Sequence, residues 1–335
     1  MNHILIVRLS ALGDVAIMAP LVVDYAVHNP SIRFTVAGPP LLQPLFEEMP
    51  NVEYLGVRKK QNFVKICRIL DAVGADTVID LHKVNRVACA LSLLRLRHLF
   101  APNFHIYSIR KGRIARWLYL HHLKSTPPRP QIDRYDEVFS RAGFLPLDAD
   151  IHHLYAQVDT TADGVTIGIA PFAQHKGKIW PAHLMRQLIA MLAPQGFRIL
   201  LFGSSDEAPL LQQWALPYDN VVSVAGRQSF REELDIIKSL TLMVSMDSAN
   251  MHFASAVGTP VVSIWGATHP HSGFYGYRQD PANALCANLP CQPCSAYGQR
   301  RCRYGDYRCL LAITPDMVFE KIMQTINPSH ATNRP

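Results

Sequence analysis

The sequence predicts an α/β chain of two doubly wound parallel-sheet units in tandem. Three observations predict it. The 335 residues allow about two domains. Short apolar runs alternate with amphipathic stretches, the pattern of parallel strands joined by crossover helices. That alternation stops at residues 145–162, a stretch rich in Asp, Thr and His without clear period, and then restarts. The linker is placed there, giving domains of residues 1–160 and 161–335.

The elements follow in order. Residues 3–9, HILIVRL, read as a buried strand and 14–26 as a helix. Residues 33–37, 52–57 and 76–81 are further strands, with helical patterns at 63–73 and 84–96. In the second half, 165–170 is a strand, and 181–192 is a helix with Pro181 suited to its first turn. Strands at 197–202 and 221–224 end near Gly203 and Gly226. Ser229 with Glu232 forms a capping box that opens a helix to Leu240. A strand at 242–246, a helix at 249–257 and a strand at 260–265 complete the unit, and 315–326 reads as a closing helix.

Composition excludes several classes. With 49% hydrophobic and 18% charged residues, the chain can build cores and is not intrinsically disordered. Eighteen glycines and 24 prolines without a period exclude collagen-like sequence, and no repeat suggests a solenoid. No apolar run approaches the roughly 20 residues of a membrane helix. The longest candidate, residues 15–23, is closed by Asp24. Arg8 and Asp14 interrupt the apolar N-terminus, which does not read as a signal peptide, so a cytosolic protein is expected. The net charge of +7 is uneven. Residues 58–129 hold fifteen Lys/Arg against three Asp/Glu, a local +12 that leaves the rest at −5. Such a segment suits an anionic partner (nucleic acid, a phosphorylated glycolipid or an anionic membrane surface) or is a solvated basic face.

Three loops carry candidate chemistry. Ser10-Ala11-Leu12-Gly13-Asp14 joins a buried strand to a helix. Gly13 permits a tight turn, and Asp14 is either a functional carboxylate or a helix cap. The loop lacks the GxGxxG spacing of a dinucleotide site. In the second unit, Lys178 within Lys176-Gly177-Lys178-Ile179-Trp180-Pro181 lies between a strand and a helix start, where a cation suits an anionic leaving group. Asp247-Ser248-Ala249-Asn250-Met251-His252 also joins strand to helix, and its backbone N–H groups suit a phosphate or pyrophosphate. Asp247 and His252 are read as residues that position the ligand or the turn.

Together SALGDV around Asp14, KIWP around Lys178, and Asp247 to His252 running into GTPVVSIWGATHP resemble glycosyltransferase family nine, the lipopolysaccharide heptosyltransferases and their relatives. The resemblance covers nearly the whole chain, in order and spacing. It implies a GT-B fold, two Rossmann-like domains facing a cleft, with the acceptor on the first domain and an ADP-heptose-type donor on the second. It implies inversion at the anomeric carbon, and neither metal nor cofactor. In that scheme Asp14 is the base, and Lys178 stabilises the leaving nucleotide. Ser10, Gly13, Asp247, Ser248, Ala249 and His252 join Lys178 around the donor. Arg58, Lys59, Lys60, Arg110, Lys111, Arg113 and Arg116 are expected to hold the phosphorylated glycolipid acceptor or the inner-membrane surface rather than nucleic acid. A closing helix in such folds often packs back on the first domain. Ala249 stands where the family usually has Gly, and Ala173-Gln174-His175 where it often has small hydroxyl residues, which leaves the donor open. A UDP- or GDP-sugar transferase and a non-catalytic binder of nucleotide-sugar or anionic lipid are the alternatives.

Cys291-Gln292-Pro293-Cys294, with Cys302 and Cys309, reads either as a structural zinc site or as packed thiols. Asp148-Ala149-Asp150 resembles a metal-binding DxD but follows no strand, and His269-Pro270-His271 is a loop pair near the expected cleft.

Overall fold

A computed structural model describes residues 2–58, 60–147 and 164–327, and Lys59, Asp148-Ala149-Asp150 and most of the expected linker lie outside it. The chain forms two units. Residues 2–112 and 129–147 make the first, and 113–128 with 164–327 the second. The units are therefore not the continuous halves that a single linker implies, because residues 113–128 belong with the second.

The first unit is one parallel sheet of five strands in the order β3-β2-β1-β4-β5. These are β1 His3–Val7, β2 Arg33–Gly38, β3 Val52–Gly56, β4 Thr77–Asp80 and β5 His105–Ser108. Ile4, Leu5, Ile6 and Val7 are all fully buried, as a central parallel strand covered on both faces requires. One face meets α2 (Phe63–Asp71) and α3 (Asn85–Arg97) through Leu5, Val7, Ile66, Leu70, Val87 and Leu91. Asn62 caps α2 by accepting from the Lys65 N–H at 2.8 Å. Near α1 (Leu12–His28), Tyr25 stacks on Phe139 with ring centroids 4.3 Å apart and donates to Asp136 at 2.6 Å, which fixes α1 to the helix Gln131–Arg141.

Residues 113–128 carry α4, Arg113–Leu120, and the helix Gln131–Arg141 that follows is α5. Arg116 fastens α4 to the second unit. Its guanidinium lies 4.6 Å from the Phe274 ring and donates to the Tyr297 hydroxyl at 3.0 Å.

The second unit is a parallel sheet of six strands, β11-β10-β9-β6-β7-β8. The strands are β6 Thr166–Ala170, β7 Arg198–Leu201, β8 Val221–Ser223, β9 Leu242–Met246, β10 Val261–Trp265 and β11 Ala284–Cys286. The helices are α6 Ala182–Leu192, α7 Ala208–Ala215, α8 Phe230–Lys238, α9 Ala249–Ala256, α10 Arg308–Leu311 and α11 Pro315–Ile326. The capping box holds: Ser229 N–H donates to Glu232 at 2.7 Å, and Glu232 N–H returns to Ser229 Oγ at 3.4 Å. The buried face of α11, Val318, Ile322 and Ile326, belongs to the second core with Met185, Leu188, Val262 and Ile264. Among the described residues no helix is long and apolar enough to cross a membrane.

Candidate active site

In each sheet the chain direction of construction reverses between two neighbouring central strands, β1 and β4 in the first and β6 and β9 in the second. Loops that leave such strands diverge and open a crevice at their carboxyl ends. The predicted loops are the ones found there.

In the first unit, α1 begins at Leu12 with Ala11 as its cap, so Asp14 is not the cap residue but lies within the first turn. Its carboxylate reaches back to the Ala11 N–H at 3.2 Å and meets the Arg8 guanidinium at 2.5 Å. Gly13 is inside that helical turn, not at the tight turn expected of it. Arg8 is buried and donates its other Nη to the Leu81 carbonyl at 2.6 Å, which locks its fork between the two central loops. The guanidinium stands 5.9 Å from the Tyr135 ring, and the Tyr135 hydroxyl donates to the Asp14 carbonyl at 3.5 Å. Ser10 Oγ lies 3.1 Å from His82 Nε2. His82 is 4% exposed, and its Nδ1 has no partner among the described residues. Burial and the Arg8 charge push its pKa down to about 3, so the ring is neutral in ordinary buffers. Asp80 shapes that loop by accepting the N–H groups of His82 and Lys83 at 2.9 and 2.8 Å. The loop arrangement is thus a partly exposed carboxylate held by a buried arginine beside a neutral Ser–His pair.

In the second unit, Lys178 Nζ lies 2.8 Å from Asp247 Oδ2, and the Thr268 hydroxyl donates to the same oxygen at 2.7 Å. The two charged side chains are 15% and 6% exposed, so the pair is largely desolvated. Lys178 is therefore held in an ion pair. Backbone packing fixes its position. A Cβ on Gly177 would sit 2.8 Å from the Gly298 carbonyl and 2.9 Å from Ala267 Cβ. The Ala267 N–H donates to the Gly177 carbonyl at 2.7 Å, so only glycine permits this approach. Trp180, 1% exposed, anchors the loop's far end by donating to the carbonyls of Leu310 and Ile313 at 3.1 and 3.0 Å. Ser248 occupies the N-cap position of α9, and its hydroxyl lies 3.2 Å from that of Ser245 rather than on the helix N–H groups. Ser248 and Ala249 are half-buried at that helix start, while His252 is buried one turn on. Asp247, the partner of Lys178, directly precedes the N-cap of α9, the end of the helix where the first N–H groups lack intrahelical acceptors and the dipole is positive.

The basic residues divide. Arg58, Lys60 and Arg113 are exposed. Arg110 is exposed and stands 3.5 Å from Glu137, which also pairs with Arg129 at 2.7 Å. Lys111 is half-buried, and its carbonyl accepts from Arg134 at 2.6 Å. The Arg116 guanidinium is engaged by Phe274 and Tyr297. Among the described residues no three of His, Cys, Asp and Glu are grouped to hold a metal ion. Cys309 faces the second core, where burial pushes its thiol up to about 12. Cys294 Sγ instead contacts the Ala267 carbonyl at 3.7 Å. His269 Nε2 lies 2.9 Å from Asn288, and its Nδ1 accepts the His271 N–H, a local loop role.

Sequence reasoning missed Arg8, His82, Tyr135 and Thr268. Arg8 had a signal, a lone charge in an apolar strand; the other three reach the site from distant segments.

Residues 63–304, well over half the chain, match the model of Glycosyltransferase family 9 (heptosyltransferase). The chain is 25% identical to lipooligosaccharide heptosyltransferase 2 of Haemophilus influenzae, covering 97% of this chain and 99% of that one. It is 26% identical to lipopolysaccharide heptosyltransferase 1 of Escherichia coli K12, covering 86% and 95%. Among solved structures, the E. coli ADP-heptose lps heptosyltransferase II superposes with a TM-score of 0.69 at 19% identity, over 99% of this chain and all of that chain. The family 9 transferase of Veillonella parvula superposes at 0.71 and 18%, over 98% and 97%. E. coli heptosyltransferase WaaC with ADP-2-deoxy-2-fluoro heptose gives 0.67 and 20%, over 96% and 99%. Two parallel-sheet units of this topology are the GT-B fold. The chain is a glycosyltransferase and belongs to glycosyltransferase family 9, the heptosyltransferases.

Proposed function

We propose that this enzyme transfers a heptose from an ADP-activated donor to a lipopolysaccharide inner-core acceptor, with inversion and without a metal ion. The observation that carries the reading is that the two units hold two unlike sites, each at the carboxyl ends of its own central strands. One unit holds a carboxylate against a buried arginine, and the other holds a half-buried lysine paired with the aspartate that precedes a helix N-terminus. In the reaction the acceptor hydroxyl oxygen bonds to the sugar C1 as the bond from C1 to the pyrophosphate oxygen breaks. Asp14 takes the hydroxyl proton, which becomes acidic only as the bond forms. The departing ADP gains negative charge, which Lys178 and the first N–H groups of α9 stabilise. With that positive charge supplied by the protein, a divalent ion has no required part.

Asp247 and Thr268 keep Lys178 in place until the pyrophosphate arrives. Ser10 and His82 offer a neutral donor and acceptor to a sugar hydroxyl. The exposed Arg58, Lys60 and Arg110 of the first unit, with Lys59, and the exposed Arg113 of the second are the residues we assign to the anionic acceptor. The enzyme then works in the cytoplasm at the inner face of the membrane, where such an acceptor is presented.

The test is a thermal-shift panel of ADP, UDP, GDP and their sugars, with and without Mg²⁺ or EDTA. Stabilisation by ADP or an ADP-sugar that EDTA leaves unchanged is expected. A response to UDP- or GDP-sugars alone would replace the donor. Assignment of the product's anomeric configuration by NMR then checks inversion.

A further inference from the structure

On the second unit, a concavity of about 380 Å³ is bordered by Leu120, His122, Arg300, Arg301, Arg303 and Tyr304. No described carboxylate pairs with any of its three arginines. The carboxylate of their loop, Asp306, is held by Arg308 at 3.0 Å. Arg303 and Arg308 both lie against the Tyr304 ring, at 4.9 and 3.9 Å, which stiffens the loop. Three guanidiniums around one small hollow repel each other unless an anion enters, and their planar forks match phosphate oxygens.

The neighbouring surface says which phosphate. Leu120 and His122 stand at the C-terminal end of α4. On the same segment Ile114, Trp117 and Leu123 are 77%, 51% and 65% exposed, among Arg113 and Lys124. Exposed tryptophan and aliphatic side chains interleaved with basic ones are the composition of a segment that lies in a lipid headgroup layer. A site for a soluble phosphate has no use for that apolar shoulder.

We infer that the Arg300–Arg301–Arg303 hollow and the exposed face of α4 form a membrane-docking site that seats the phosphate headgroup of an anionic lipid. Its partner is the lipid surface itself, a role distinct from holding the acceptor sugar. The inference deepens the reading that the acceptor is lipid-borne, because it supplies a surface on which such an acceptor is met.

The experiment is flotation of the full chain with vesicles of phosphatidylcholine alone, or mixed with phosphatidic acid, without nucleotide or sugar. Its failure is thus separable from failure of the donor assignment. Salt-sensitive binding to the mixed vesicles alone is expected. Arg301→Glu with Arg303→Glu weakens it about tenfold or more, and Trp117→Ser weakens it at unchanged melting temperature. If a variant does not fold, competition by inorganic phosphate on the parent chain serves the same purpose. Equal binding to both vesicles, or binding that the arginine variant keeps, overturns the site. Phosphate binding in solution without vesicle binding overturns the lipid assignment and leaves a soluble-anion site.

Discussion

Arg8 and Asp14 meet at 2.5 Å, six residues apart, across the turn that leaves the central strand. The arginine is buried and tied to Leu81, so it aims a partly exposed carboxylate rather than being aimed by it. Asp14→Asn is expected to lower kcat about 100-fold or more with donor affinity kept, since only proton acceptance is lost. Arg8→Gln leaves the carboxylate but frees it. Its kcat is expected to fall about tenfold to 100-fold, with Arg8→Lys between, because lysine lacks the fork. Steady-state kinetics decide it, and unchanged turnover in Asp14→Asn removes Asp14 from the chemistry.

The Lys178–Asp247 pair predicts a separation of stability from binding. Truncating one partner leaves the other charge buried, so Asp247→Ala is expected to cost roughly 3–5 kcal/mol. Replacing both, Lys178→Met with Asp247→Leu, is expected to recover most of that loss in denaturant melts. The double variant is nonetheless expected to give no nucleotide-induced thermal shift.

His82 gives the fold a pH dependence with a definite sign. Its folded pKa is about 3 against an ordinary 6.5, so between these values the unfolded chain binds a proton that the folded chain does not. Stability from this residue is complete above pH 6.5 and is lost as pH falls, at roughly 1.4 kcal/mol per pH unit. His82→Gln is expected to flatten unfolding free energy between pH 6 and about 4. An identical slope in the variant would mean that other groups set it.

Trp180 joins the Lys178 loop to α10 and the residues just after it through two hydrogen bonds from one N–H. Trp180→Phe keeps most of the apolar volume and leaves those carbonyls without their donor. A loss of about 1–3 kcal/mol is expected, together with weaker nucleotide binding as Lys178 loses its backing. Chemical denaturation and calorimetry report the two effects separately.

Much of this was legible in the chain, for local reasons. The strands at Ile4, Ile167 and Val244 are short apolar runs, and Ser229 with Glu232 is a signal carried within four residues. The loops holding Asp14, Lys178 and Asp247 were found because they follow such strands. His82 and Thr268 were not, because they join their sites from 72 and 21 residues away, and pairing of that kind leaves no periodic trace. The short strand His105–Ser108 is polar enough to escape notice. The docking of α4 was invisible for another reason: an amphipathic helix shows that it has an apolar face, not which neighbour covers it.

The excursion of residues 113–128 into the second unit changes how the protein can be dissected. A stop codon or protease site between the two halves would leave the C-terminal fragment without the helix that Phe274 and Tyr297 grip. The N-terminal fragment would carry that helix with nothing to hold. The two lobes are therefore not separable gene segments. A recombination that exchanges the second lobe between relatives must carry α4 with it, as two crossovers within the first half of the gene.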